Sequence, residues 1–186
     1  MVQPIFEQIH SFFDAQRSRS PVESARSSFA ENPVRSVDWV IPGKLALGGL
    51  PRPGDERSFA HHQIGAILSL CDECEGSFSS TMSQLFRHYR CVLPDSHYAI
   101  ALTPRKLGEA VEIVHHSLRQ GEPIYVHCLA GMERSPTVCI AYLCRYCRQD
   151  FWEAASWVKQ VRAIARPTEE QLQVAWEYCQ GMEIGR

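Results

Sequence analysis

Residues Val126–Val138 read VHCLAGMERSPTV. The apolar run PIYVHC (123–128) ends in a His-Cys pair, a short loop with Gly131 at its middle follows, and Arg134 and Ser135 stand just ahead of the run IAYLCRYC. The pattern predicts a strand, a tight loop and a helix in succession. Such a junction turns successive backbone N–H groups into one concavity, and the helix N-terminus adds its positive end. That place favours a tetrahedral oxyanion such as phosphate. Arg134 brings a planar, permanently charged fork that suits two oxygens of that anion. Gly131 removes side-chain bulk where the backbone must curl. Cys128 lies at the floor of this cup, where the helix end and the guanidinium favour thiolate over thiol. A thiolate facing the phosphorus of a held phosphate is a nucleophile in position.

Working outward, strands and helices alternate. IPGKLALGG (41–49) reads as a strand with Gly/Pro punctuation, and GAILSL (65–70) as a buried strand after a short polar helix at 54–62. YRCVL (89–93) reads as a further short strand before Pro94. TPRKLGEAVEIVHHSLRQG carries a helix: Thr103 caps it, Pro104 suits its first position, and Gly121 follows its end. Leu107, Val111, Val114 and Leu118 form its apolar stripe. Three helices are expected near 134–148, 151–163 and 168–180. Asp150 with Glu153 offers a capping box for the second, and Thr168 with Gln171 for the third. The alternation predicts an α/β fold with a central, mostly parallel sheet flanked by helices.

The chain of 186 residues, 45% hydrophobic, suffices for one domain with a proper core. Residues 1–37 stand apart. Ile5, Ile9, Phe12 and Phe13 share a helical face over 4–15, and the polar stretch RSRSPVESARSSFAENPVRS then reads as a linker. Residues 38–186 are expected to form the catalytic domain. A formal net charge of −2 gives no global basic field for nucleic acid or an anionic membrane. No apolar run approaches the ~18 residues a membrane span requires, and the N-terminus lacks the basic start of a secretory signal. The eight cysteines then read as reduced thiols of a cytoplasmic monomer.

HCLAGMERS resembles the C-x5-R-S/T signature of cysteine-dependent protein tyrosine and dual-specificity phosphatases, with the family's His before the Cys, and the resemblance extends over residues 37–180. It implies a dual-specificity phosphatase-like fold and a cysteinyl-phosphate intermediate on Cys128. It implies a phosphate-binding loop made of His127, Leu129, Ala130, Gly131, Met132 and Glu133, with His127 ordering the loop backbone. Ser135 would hydrogen-bond the sulfur and help it leave. The family's general acid lies roughly thirty residues before the nucleophile; LPDSHY supplies Asp95 at 128 − 95 = 33 positions. It would protonate the leaving oxygen and then activate the hydrolytic water. Asp72, Glu73 and Glu75 are weaker candidates, having no Pro-Asp loop context. RPTEEQL resembles the family's Arg-Pro…Gln-Leu segment, which suggests a water-positioning role for Gln171.

No metal or other cofactor is implied, since Arg134 and the loop amides supply the positive charge. The pairs His61/His62 and His115/His116 lie in helical stretches where both rings of a pair cannot face one ligand. Cys71-x2-Cys74 and Cys144-x2-Cys147 read as thiols rather than zinc ligands. By resemblance to lipid-type phosphatases, Cys71 would form a reversible disulfide with Cys128, Cys74 and Cys139 being the alternatives. No segment matches the aromatic-bearing loop that deepens tyrosine-specific clefts, so a shallow cup is expected. The loop lacks the lysines of inositide phosphatases, and Glu133 adds negative charge. These features imply a metal-independent phosphatase of phosphorylated protein at tyrosine, with serine and threonine within reach. The alternatives are a phospho-binding module without turnover, a phosphatase of a non-protein phosphomonoester, and a rhodanese-like sulfurtransferase.

Overall fold

A computed structural model of the chain describes residues 37–76, 79–97 and 100–181. The expected helix at 4–15 and its linker lie outside the described residues. Five strands form one sheet in the order β1 (Asp38–Ile41), β2 (Leu45–Gly48), β5 (Ile124–His127), β3 (Ala66–Ser69) and β4 (Arg87–Arg90). Only β1 and β2 run antiparallel; the other pairings are parallel. The helices are α1 (Asp55–His61), α2 (Ser80–Leu85), α3 (Pro104–Arg119), α4 (Arg134–Cys147), α5 (Phe151–Val161) and α6 (Glu169–Gln180).

The central strands β2, β3 and β5 are buried on both faces, as a parallel sheet covered on each side requires. Side chains alternate across the pleat. Ala46, Ile67 and Tyr125, aligned in register, face one side with Phe59 of α1, Met82 of α2 and Phe86. Leu47, Leu68 and Val126 point the other way, toward α3 and α4. Helix α4 is the hub of that layer: α3, α5 and α6 all pack against it, and every residue from Arg134 to Leu143 is buried. Its first turn is thereby anchored before any ligand arrives.

Local signals held where the physics is local. Thr103 Oγ1 accepts the Lys106 N–H, and Thr168 with Gln171 forms a reciprocal capping box. Asp150 accepts from Trp152 and Glu153 by itself, without the expected return bond from Glu153. Two expectations are corrected. IPGKLALGG is not one strand but the turn and second strand of a hairpin, closed by the Lys44 N–H to the Ile41 carbonyl. The strand expected over 89–93 pairs over 87–90 instead. It is an edge strand with one neighbour, so its charged residues reach water, while Cys91 and Leu93 are buried beyond the pairing. Their apolar character reported burial rather than pairing. A 3-10 turn at Glu73–Glu75 and the helix Ser80–Leu85 carry no apolar period long enough to announce them. The loops after β2, β3, β4 and β5 meet at the C-terminal edge of the parallel strands, where open α/β sheets place ligands.

Candidate active site

Residues 128–133 connect β5 to α4, and their carbonyls are accounted for one by one. That of Cys128 accepts from His127 Nδ1 at 3.2 Å, which puts the ring proton on Nδ1 because a carbonyl only accepts. Burial holds the His127 pKa down at about 4, so the ring is neutral. The Leu129 carbonyl takes the Leu50 N–H at 3.0 Å. The Ala130 and Gly131 carbonyls take Nη2 and Nε of Arg162 at 3.1 and 2.6 Å. The Met132 carbonyl takes the Arg166 N–H at 2.5 Å, and that of Glu133 takes both donors of Thr137. In a trans peptide the N–H points opposite to the carbonyl. Five outward carbonyls, 128 to 132, therefore turn the N–H groups of residues 129 to 133 inward, toward Cys128.

Two glycines make the curl possible. Gly131 has φ +68°, and a Cβ there would lie 2.4 Å from the Gly48 carbonyl carbon. A Cβ on Gly48 would meet the Tyr125 hydroxyl, which donates instead to the Gly49 carbonyl at 2.9 Å. The loop is seated directly on the backbone that follows β2.

Cys128 is 2% exposed, and its Sγ lies 3.5 Å from Ser135 Oγ. Ser135 Oγ also donates to the Gly48 carbonyl at 3.0 Å. A hydroxyl has one proton, so the two partners compete. With a thiol, the S–H gives to Oγ; with a thiolate, the hydroxyl must swing its proton onto sulfur. The N-cap of α4 is Glu133, so Ser135 lies within the first turn of the helix.

Arg134 is 2% exposed and meets more partners than its sequence context suggested. Glu75 grips it bidentately, Oε2 to Nη1 at 3.0 Å and Oε1 to Nη2 at 2.7 Å. Asp95 Oδ2 lies 2.8 Å from Nη2, and the Leu70 and Leu93 carbonyls accept weakly from Nη1. The hydrogen bonds from Arg134 hold the Glu75 carboxyl below the usual carboxylate range. Glu75, a lesser candidate for the acid, is thus the partner that fixes the guanidinium plane. The simple picture of a free two-pronged fork is corrected. Among the described residues only Nε is left without an acceptor, so an arriving phosphate must take the Nη2 hydrogen now held by Asp95.

Asp95 itself is anchored through Oδ1, which accepts the His97 N–H at 3.2 Å. Gln171 is committed at both ends, its Oε1 to the Thr168 N–H and its Nε2 to Glu133 at 3.5 Å. Leu129 and Met132 project outward, 48% and 36% exposed, beside a recess of about 800 Å³ that Leu50, Pro51 and Ile164 also line. Cys71 is buried one residue past the hydrogen bond from the Leu70 N–H to the His127 carbonyl, within electrostatic reach of Arg134, Glu75 and Asp95. Burial pushes its thiol up to about 12. Among the described residues no three His, Cys, Asp or Glu side chains cluster as a metal would need, and no helix is long and apolar enough to cross a membrane.

Arg162, which holds two carbonyls of the loop, was not singled out by sequence reasoning. It lies in a run, VKQVRAIARP, that names no chemistry, and only the fold carries it to the loop.

Residues 49–180 match the family model of the dual specificity phosphatase catalytic domain. The chain is 26% identical over 134 residues to a phosphatidylglycerophosphate phosphatase, PTPMT1, of Arabidopsis thaliana, covering 72% of this chain and 40% of that protein. It is 33% identical over 104 residues to dual specificity protein phosphatase 1-A of Xenopus laevis, covering 56% and 27%. The chain therefore spans less than half the length of these relatives. A crystal structure of PTPMT1 in complex with PI(5)P superposes with a TM-score of 0.67 at 22% identity, covering 76% of this chain and 94% of that one.

Proposed function

This chain belongs to the dual specificity phosphatase family, and from that premise we propose that it is a metal-independent phosphatase of phosphorylated protein working through a cysteinyl-phosphate intermediate. The observation that carries the proposal is the buried Cys128 sulfur beneath five outward-turned carbonyls, with Arg134 and Asp95 paired at 2.8 Å beside it.

In the proposed sequence the phosphate enters the cup, takes the inward amides and displaces Asp95 from Nη2 of Arg134. Cys128 attacks phosphorus as the leaving oxygen departs, and Asp95 supplies that oxygen's proton. Water then attacks the thiophosphate with Asp95 as base, while the Ser135 hydroxyl turns toward the departing sulfur. Arg134 stays oriented throughout because Glu75 holds the opposite edge of its plane. The phospho-binding alternative is weakened because nucleophile, arginine and acid are all present. Hydrolysis of p-nitrophenyl phosphate in EDTA, blocked by vanadate, tests the reading; no turnover under those conditions ends it.

Asp95→Asn is expected to slow turnover of a phosphotyrosine peptide by about 10² to 10³-fold, the usual worth of a positioned acid. The effect should be far smaller on p-nitrophenyl phosphate, whose leaving group scarcely requires a proton. Equal losses on both substrates would argue that Asp95 acts by folding or binding instead.

A second reading, a lipid phosphomonoester as substrate, is favoured by the similarity to PTPMT1 and by the apolar rim of Leu129 and Met132 beside the recess. Against it stands the absence of lysine from the loop. Rates on phosphopeptides and on phospholipid monoesters, compared in one assay, decide between them.

Cys71 is proposed as the resolving thiol. Peroxide would convert the Cys128 thiolate to a sulfenic acid; the Cys71 sulfur would then displace its hydroxyl group, forming the S–S bond and releasing water. Peptide mapping after peroxide and alkylation should show a Cys71–Cys128 bridge. A map in which Cys128 is in no intramolecular bridge rules this out.

A further inference from the structure

An anion cup of backbone amides works only if its peptide planes are held against the pull of their own dipoles. Facing N–H groups repel one another until an anion arrives, so the empty loop tends to flip them. In this chain two consecutive planes depend on one side chain. Arg162 Nη2 holds the Ala130 carbonyl, which turns the Gly131 N–H inward, and its Nε holds the Gly131 carbonyl, which turns the Met132 N–H inward. The remaining nitrogen, Nη1, is 2.6 Å from Oδ2 of Asp38 in β1. All three guanidinium nitrogens are thus committed, two to the loop and one to the sheet.

We propose that Arg162, fixed by Asp38, is a positioning residue that presets the Gly131 and Met132 amides for the oxyanion. This rests on the phosphatase reading for its functional meaning, but the geometry speaks first to anion binding. Arg162 is not placed to bind the phosphate itself, because each of its three nitrogens faces an acceptor on the outer side of the loop. Its planar fork is what the position requires: a lysine ammonium is a compact donor on a flexible stem and cannot span two adjacent carbonyls and a carboxylate in one fixed plane. The ion pair with Asp38 largely cancels its charge. Its influence on the cup is therefore orientational.

The test is calorimetric binding of tungstate, a phosphate-shaped oxyanion, to the full chain, with thermal melting of each variant alongside. Arg162→Met is expected to bind tungstate about tenfold or more weakly, the order of loss from misaligned charge-assisted hydrogen bonds. Arg162→Lys should fall between it and wild type. Asp38→Asn, which keeps an acceptor but loses the charge, should show a smaller loss. On substrate the same variants should raise KM more than they lower kcat. Should Arg162→Met unfold, Arg162→Lys and Asp38→Asn, which preserve bulk, carry the comparison. Wild-type tungstate affinity in the folded variants overturns the proposal. Absence of tungstate binding in wild type overturns it together with the phosphatase reading. Tungstate binding without phosphate turnover would count against the phosphatase reading alone, and the variant series would still decide the role of Arg162.

Discussion

Cys128→Ser is expected to abolish turnover, by at least about 10⁴-fold, the scale lost when a covalent nucleophile is removed. The substitution exchanges one atom in a site that is 2% exposed, so packing should hold. What changes is chemical. A serine hydroxyl at neutral pH carries its proton and is a far weaker nucleophile than a thiolate. The amides that form the cup are untouched, so tungstate should bind the variant within a few-fold of wild type. Rapid quenching of wild type with labelled phosphopeptide should trap phosphate on sulfur, and the serine variant should trap none. Turnover that survives Cys128→Ser at even a tenth of the wild-type rate would sink the mechanism, whatever the cup binds.

Arg134→Met should remove activity and stability together, and Arg134→Met/Glu75→Gln should recover only the stability. Arg134 and Glu75 pair in two hydrogen bonds, their side chains 2% and 8% exposed. Removing one member of a buried pair typically costs about 3–5 kcal/mol, because the other charge is left unmet. In a domain of this size that corresponds to a fall in Tm on the order of 10 °C. The double variant leaves a neutral amide where the orphaned carboxylate stood, and its Tm should return most of the way. The pH dependence follows from the sign of the shift. The Glu75 pKa is depressed in the folded state, so the pair contributes fully above the ordinary carboxylate range and is lost as pH falls through the folded-state value. The Tm gap between wild type and Arg134→Met should therefore be widest near neutrality and close on acidification. A gap unchanged down to pH 3 would show that Glu75 is not the cause. Activity should stay lost in both variants, since Nε and Nη2 are the donors an oxyanion would meet.

Much of the site was legible because its signals are local. A strand, a glycine-centred loop and a helix adjoin within thirteen residues, and elementary dipole arithmetic says what such a junction attracts. The caps at Thr103, Asp150 and Thr168 lie three residues or fewer from the groups they satisfy. The placement of Asp95 depended on its loop context after a strand and on family spacing, and the 2.8 Å contact with Arg134 brings it to the cup. Edge strand β4 was misplaced because an edge strand is paired on one side and solvated on the other. Its sequence RHYR then carries no period to read.

The sequence by itself determined the strand–loop–helix junction that carries Cys128 and Arg134, the alternation that builds a parallel sheet, and the ends of the longer helices, since each is set by interactions within a turn or two of chain. Tertiary structure alone decided which carboxylate orients Arg134 and which side chain steadies the loop. Glu75 reaches Arg134 across 59 positions, and Arg162 reaches Gly131 across 31 and Asp38 across 124. A charged residue reads alike in sequence whether it meets water or a buried partner. The difference is made when folding strips the water away and leaves each donor only the acceptors that the packed strands and helices bring to it.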